Sequence, residues 1–488
     1  MFSKAFTSSL LVLWATGSST STAAPAARSV HIQGQNFVDS ATNEVTVMAG
    51  PNIVVKGYPY LPEVSGTTYC DDDVTMNDEC RATNSCEACT TFNQADIDHI
   101  KEMGWDTIRL GVAWAGAQPR DEDALDPEFL QRLHAILDLC DDNGINVLLD
   151  NHGDMVGSAG CGNGVPMWFQ QKASPDLIGK QLTTGFPYSL ISSLQVTNVG
   201  GYDHCGDDAE KWAAYAGDPN YNLLNECCQA MNGPNPAGLG YTKISQATMN
   251  YMIDEGQGRD DFVRFWRLMA EAVVDHPRAF AFELMNEPMT IWRRDAFKTW
   301  RACAEAIVAV IPDSSVALAD TGEGSVTPTW LTSISSFLGG GITIDRDTLA
   351  WIKASSNVFY AWHWYGQPDS TDAAVKNAAA IMDGWDVPSF ATEFMSCNAW
   401  NSAQGAGIST SYWHYSSYCN IGSDSGAYFG NHTVDDSFGA CILGWAGKHS
   451  AIEPPCRTHV PGLNALARLI TCSVAHAAPS YHRRQQSL

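Results

Sequence analysis

Eight times along this chain a short, nearly continuous apolar run is followed by a segment whose apolar residues recur at helical spacing. The runs are 45–56 (VTVMAGPNIVVK), 107–112, 145–150 (INVLLD), 279–285, 315–319, 357–362, 388–392 and 439–445. Helical spacing is expected over 94–103, 127–143, 259–275, 295–311, 371–384, 410–419 and 462–472, with a weaker patch at 330–338. In 127–143, Phe129, Leu130, Leu133, Ile136, Leu137 and Cys140 fall on one stripe, and Gly144 follows as a stop. Strands apolar along their whole length are buried on both faces, as in a parallel sheet covered by helices. Eight strand–helix units predict an α/β fold of the TIM (β/α)8 barrel class. An open doubly wound sheet is the competing arrangement. It calls for a glycine-rich phosphate loop after the first strand, where Gly57 stands alone.

Two stretches exceed the usual connection length. Residues 58–92 follow the first strand and carry Cys70, Cys80, Cys86 and Cys89. Residues 153–258 follow the third, show little periodicity and carry Cys161, Cys205, Cys227 and Cys228. Both leave from strand C-terminal ends, where barrels build their active sites, and so are placed to wall a cleft. Residues 1–27 have a signal-peptide layout, with Lys4, an apolar stretch at 10–15 and small residues up to AAPAA. An exported chain with 15 cysteines is expected to hold disulfides within these insertions, and the odd count leaves one thiol over, for which Cys140 is a candidate. Cys86-x-x-Cys89 as a zinc half-site is the weaker alternative. The expected organisation is a leader at 1–27, one catalytic barrel at 28–472, and a disordered tail at 473–488. The protein is expected to be extracellular and monomeric. Beyond the leader no apolar run reaches the roughly 18 residues of a bilayer span. A net charge of −26 repels phosphate backbones, which argues against nucleic acid and suits a neutral substrate such as a sugar.

Polar residues at the strand ends would face the barrel mouth. They are Arg109 on strand two, His152 after strand three, Asn286 and Glu287 after strand four, His363 and Tyr365 on strand six, Glu393 on strand seven and Trp445 on strand eight. Two glutamates delivered this way suit cleavage of a glycosidic bond. One carboxyl must be protonated to release the leaving oxygen, and the other ionised to meet the oxocarbenium-like carbon. Close carboxylates split their acidities, which lets the pair divide these tasks. An arginine and a tyrosine would hold the nucleophile ionised, an asparagine would bind the sugar 2-hydroxyl, and a tryptophan would offer a flat face to a pyranose ring. A G-x-S-x-G elbow is absent, which removes a serine esterase. A non-catalytic carbohydrate-binding barrel would lack one of the two glutamates.

In its order of strand-end residues, Arg109, His152, Asn286-Glu287-Pro288, His363-x-Tyr365, Glu393 and Trp445, the chain resembles glycoside hydrolase family five over residues 45–472. The resemblance implies Glu287 as general acid/base and Glu393 as nucleophile, with retention of configuration and no metal or organic cofactor. It also implies that Asn286 holds the 2-hydroxyl and that Arg109 and Tyr365 tune Glu393. His152 and His363 would line the sugar subsite, with Trp445 as its floor. A narrower resemblance, carried by GPNIVVKGYPYLP (50–62), LLDNHGD (148–154) and GNGVPMWF (162–169), is to endoglycoceramidases, which act on glycosphingolipids. It makes Trp168, Phe169 and Phe186 candidates for lipid-tail contact. The alternative substrates are β-glucan and β-mannan polysaccharides.

Overall fold

The computed structural model describes residues 27–55, 60–64, 92–102, 104–154, 156–160, 162–178, 180, 182–186, 188–190, 240–288, 296–319, 345–364, 371–394 and 402–413. Three short strands come first: β1 (Val30–Gln33), β2 (Asn36–Asp39) and β3 (Val45–Thr46), paired antiparallel in that order. Eight parallel strands then close a barrel: β4 (Ala49–Ile53), β5 (Thr107–Gly111), β6 (Asn146–Asp150), β7 (Ala279–Glu283), β8 (Ser315–Ala319), β9 (Val358–Trp364), β10 (Ser389–Phe394) and β11 (Ser409–Tyr412). Strand β11 pairs with both β10 and β4, which completes the ring. The closed parallel barrel expected from the sequence is therefore present.

Helix boundaries follow local chemistry. Pro127–Asn143 starts where the Asp126 carboxylate accepts hydrogen bonds from the backbone N–H groups of Glu128 and Phe129, with Pro127 in the first turn. It stops at Gly144, whose φ of 74° is left-handed. The barrel admits little space where β4 meets β5. A Cβ on Gly50 would lie 1.5 Å from the Thr107 carbonyl oxygen, so only glycine fits there.

Successive strand residues alternate between two apolar layers. Ile108, Leu110, Val147, Leu149, Val316, Leu318, Val358, Tyr360 and Trp362 belong to the large cluster shared with the helices. Leu148, Ala281, Ala317, Phe359, Ala361 and Phe390 cluster instead with Val30, Ile32, Phe37 and Met48. The β1–β2 hairpin therefore packs against the residues that fill the barrel interior. Phe37 meets Phe280, Phe359 and Phe390 edge-on, with ring centroids 6.2, 5.2 and 6.1 Å apart.

Three sequence expectations need correction. The run 45–56 is two elements, one in the antiparallel sheet and one in the barrel. The eighth barrel strand is Ser409–Tyr412, overlapping the start of the segment expected to be helical at 410–419, whereas the run 439–445 expected to form it lies outside the described residues. The insertion expected to lack periodicity contains helices at Met167–Ala173 and Lys243–Ile253. Of the cysteines, Cys140 and Cys303 are buried free thiols. The others, and with them the expected disulfides, lie outside the described residues. Among the described residues no helix is long and apolar enough to cross a membrane.

Candidate active site

Interior positions turn from apolar to polar toward the C-terminal ends of the strands. Leu148 gives way to Asp150 on β6, Ala281 to Glu283 on β7, Ala361 to His363 on β9, and Phe390 to Glu393 on β10. Strand register then sets the polar groups beside one another: Asn52 faces Arg109, Asp150 faces Glu283, and His363 faces Glu393.

Arg109 is the hub. Its side chain is fully buried, and its Nε donates to Glu283 Oε2 at 2.7 Å. Nη1 donates to Asn52 Oδ1 and to Glu393 Oε1, both at 2.7 Å, and Nη2 donates to Asn286 Oδ1 at 2.8 Å. Nη2 also lies 3.0 Å from Asp150 Oδ2. Burial disfavours the guanidinium charge, but Asp150, Glu283 and Glu393 outweigh it and hold the Arg109 pKa well above its ordinary value. A buried cation needs such partners, and three carboxylates around one guanidinium leave the carboxylates short of positive charge.

Beside this hub, His152 Nδ1 sits 2.7 Å from Asp150 Oδ2. Burial works against a charge on this ring, yet Asp154 and Asp150 together raise its pKa to about 9. Among the described residues its Nε2 makes no hydrogen bond, with Asp154 Oδ1 at 3.5 Å. A buried donor without a partner is a place for a ligand hydroxyl. The ring stacks on Trp413, centroids 5.2 Å apart and planes 13° from parallel. Asp154 also accepts from Asn286 Nδ2 at 3.2 Å, so among the described residues Asn286 keeps one amide N–H for a substrate. The loop carrying these groups folds back tightly. Gly164, at φ 111°, would set a Cβ 2.4 Å from the Gly153 Cα.

Glu287 and Glu393 meet across His363. The His363 Nδ1 lies 2.9 Å from Glu287 Oε1 and 3.5 Å from Glu393 Oε2. Burial opposes a charge on His363, but Glu393 and Glu287 outweigh it and raise its pKa. One oxygen of each carboxylate lies within 4.8 Å of the other and of a His363 nitrogen. Glu287 holds φ at 37°, in the left-handed region a non-glycine residue seldom enters, and Pro288 restricts it further. Backbone strain of this kind persists where the surroundings dictate it and concentrates at functional positions.

The structure thus brings together six of the eight residues expected at the site: Arg109, His152, Asn286, Glu287, His363 and Glu393. Tyr365 and Trp445 lie outside the described residues. Trp413, directly after β11, supplies an aromatic face beside His152. Asp150 and Asp154, in the strand-three end LLDNHGD, join the constellation, and Asn52 and Glu283 complete it without having been singled out. The available signal was a polar residue interrupting an apolar run, visible in GPNIVVK and AFAFE. Trp168 and Phe169 pack on Trp114 at 5.6 and 4.7 Å, so they serve the core, while Phe186 and Leu190 are exposed.

The family model described as Cellulase (glycosyl hydrolase family 5) matches residues 73–188 and 242–419. The chain belongs to glycosyl hydrolase family 5. Among its curated relatives, the endoglycoceramidase of Hydra vulgaris is 24% identical over 241 residues, covering 49% of this chain and 36% of that protein. Endoglycoceramidase I of Rhodococcus hoagii (strain 103S) is 29% identical over 198 residues, 38% of each chain. The family 5 chain therefore spans well under half the length of these relatives. Among solved structures, endo-glycoceramidase II from Rhodococcus sp. in its ganglioside GM3 complex aligns with a TM-score of 0.52 at 15% identity, over 79% of this chain and 78% of that one. An endogalactoceramidase aligns with a TM-score of 0.50 at 16% identity, over 80% and 75%. These likenesses are of fold. The glutamate pair stands at the C-terminal ends of the strands, where a barrel enzyme keeps its chemistry.

Proposed function

We propose that this chain is a retaining β-glycosidase that releases the glycan from a glycosphingolipid by double displacement. The observation that carries the mechanism is the short approach of Glu287 and Glu393, whose nearest oxygens lie within 4.8 Å. Carboxyl groups about 5–5.5 Å apart suit direct attack on the anomeric carbon, whereas inversion needs room for a water between them. In the first step Glu287 gives its proton to the glycosidic oxygen, the bond from that oxygen to the anomeric carbon breaks, and Glu393 forms an ester to that carbon. In the second step Glu287 takes a proton from water, the water oxygen bonds to the anomeric carbon, and Glu393 leaves as carboxylate. Arg109 Nη1, at 2.7 Å from Glu393, favours the ionised nucleophile. The free N–H of Asn286 and the Nε2 of His152 are placed to bind sugar hydroxyls.

The substrate reading is supported by the curated relatives, which are named endoglycoceramidases. Export is supported by the leader-like residues 1–27 and the fifteen cysteines. The test is purified protein on a lactosylceramide-type lipid, β-1,3- and β-1,4-glucans and mannan, with products sized and the first-formed anomer read by proton NMR. Intact oligosaccharide plus ceramide, released first as the β-anomer and lost in Glu393→Gln, is the expected outcome. Cleavage of the polysaccharides alone would replace the substrate reading with a glucanase or mannanase. An α-anomer would replace the retaining mechanism.

A further inference from the structure

Glu283 has no part in the two displacement steps, yet it is 1% exposed and lies at the centre of the polar cluster. Its Oε2 accepts from Arg109 Nε at 2.7 Å, and its Oε1 is 3.2 Å from the Thr392 hydroxyl. The charged and titratable groups facing this region come from four neighbouring strands. They are Arg109 on β5, Asp150 on β6, His363 on β9 (Nε2 at 3.9 Å from Glu283 Oε1) and Glu393 on β10. Three carboxylates share one guanidinium, so the partners of each decide which keeps its charge. Asp150 Oδ2 is met by both Arg109 at 3.0 Å and His152 at 2.7 Å. Glu393 is met by Arg109 at 2.7 Å, His363 at 3.5 Å and His152 at 4.0 Å. Glu283 has one close cationic donor, Arg109 at 2.7 Å, with His363 more distant at 3.9 Å, and it stands beside Asp150 across the β6–β7 ladder. Of the three it is the worst supplied with positive charge, and like charges in one dry site cannot all ionise.

We propose that Glu283 is a positioning residue that stays a neutral acid, locking Arg109 through Nε and donating a hydrogen bond from its own O–H to the Thr392 hydroxyl oxygen, so that the guanidinium charge serves Glu393. A protonated Oε1 can donate to the Thr392 hydroxyl, one residue before Glu393 in the chain. Oε2 remains the acceptor that fixes the plane of Arg109, with Nη1 aimed at the nucleophile. Burial raises the Glu283 carboxyl, with Arg109 opposing and Asp150 adding to the rise. A fully charged Glu283 would instead draw the guanidinium away from Glu393.

The role rests on the two-glutamate reading, but its test has a readout that does not. In protein labelled with 13C at the glutamate side-chain carboxyl, the resonance that vanishes in Glu283→Gln should be that of a neutral carboxyl at pH 7. The resonance that vanishes in Glu393→Gln identifies the nucleophile. In Glu283→Ala it should titrate at higher pH than in wild type, because the unlocked guanidinium supports its charge less well. On an activated aryl β-glycoside, Glu283→Ala should lower kcat by about 10–100-fold with KM little changed, since misplacement of a reacting group acts on the chemical step. The acid limb of its pH profile should move up. Glu283→Gln keeps an acceptor for Nε and a donor for Thr392, and should recover most of that loss. A charged carboxylate signal for Glu283 at pH 7 overturns the proposal, as does movement of the Glu393 titration to lower pH in Glu283→Ala. Absence of any hydrolysis by wild type removes the glycosidase reading and leaves the NMR result to decide Glu283.

Discussion

Replacing Arg109 with methionine removes the one guanidinium that meets Asp150, Glu283 and Glu393 at 3.0, 2.7 and 2.7 Å. Breaking a buried ion pair from one side costs roughly 3–5 kcal/mol, because the remaining charge stays uncompensated. The cost has a pH signature. A carboxylate stripped of its cation in a dry site takes up a proton instead of remaining charged. Its folded pKa then exceeds the unfolded value near ~4.3, so the penalty is absent at low pH and grows as the unfolded chain ionises. For one such proton the penalty is about 1 kcal/mol at pH 5 and about 4 kcal/mol at pH 7.5, at about 1.4 kcal/mol per pH unit above the unfolded pKa. The assay is urea unfolding of wild type and Arg109→Met followed by tryptophan fluorescence at both pH values. The expected deficit of the variant is small at pH 5 and about 3 kcal/mol larger at pH 7.5. Arg109→Lys restores charge but not the planar fork, and should fall between the two. A deficit equal at both pH values would refute the reasoning, because volume loss alone has no such dependence.

Two further perturbations separate the ends of the barrel. Phe37→Ala removes a ring packed edge-on against three interior phenylalanines and should cost about 3–5 kcal/mol of stability while leaving activity per folded molecule unchanged, which active-site titration alongside thermal unfolding would check. His152 has its folded pKa raised to about 9, so its contribution is complete below the unfolded value of about 6.5 and is lost as pH rises through about 9. The stability gap between wild type and His152→Gln should therefore narrow from pH 6 to pH 9.5, and a constant gap would show that the ring is neutral throughout.

Seven of the eight barrel strands were legible because their outward residues are apolar and continuous. The eighth was not, for a physical reason. Strand β11 reads STSY, and its polar side chains are taken up by hydrogen bonds to neighbouring segments. The Ser409 hydroxyl accepts from the Met48 backbone N–H, the Thr410 hydroxyl accepts from Gln404, and the Asn52 amide donates to Ser411. A strand whose hydroxyls satisfy the seam between β10 and β4 carries no hydrophobic run to find. The β1–β2 hairpin escaped notice because four-residue strands give little periodicity. At the site, Glu287 and Glu393 were legible because each ends an apolar segment abruptly. Glu283 and Asn52 were hidden because each is a single polar letter inside such a segment, and only the closed ring shows that both reach Arg109.

That ring also explains why one architecture serves stability and chemistry without conflict. The interior is apolar where β1 and β2 pack and charged at the ends of β6, β7, β9 and β10, and along each of these four the change happens within two or three residues. Buried ion pairs are at best close to neutral for stability compared with packed hydrocarbon. Asp150, Glu283, Glu393 and Arg109 therefore cost the fold something, and the strained Glu287 adds to it. The phenylalanine cluster around Phe37 offsets that cost from the opposite end, where substitution touches no reacting atom. Variation at the Phe37 end should thus act on the amount of folded protein, and variation around Arg109 on what each folded molecule does.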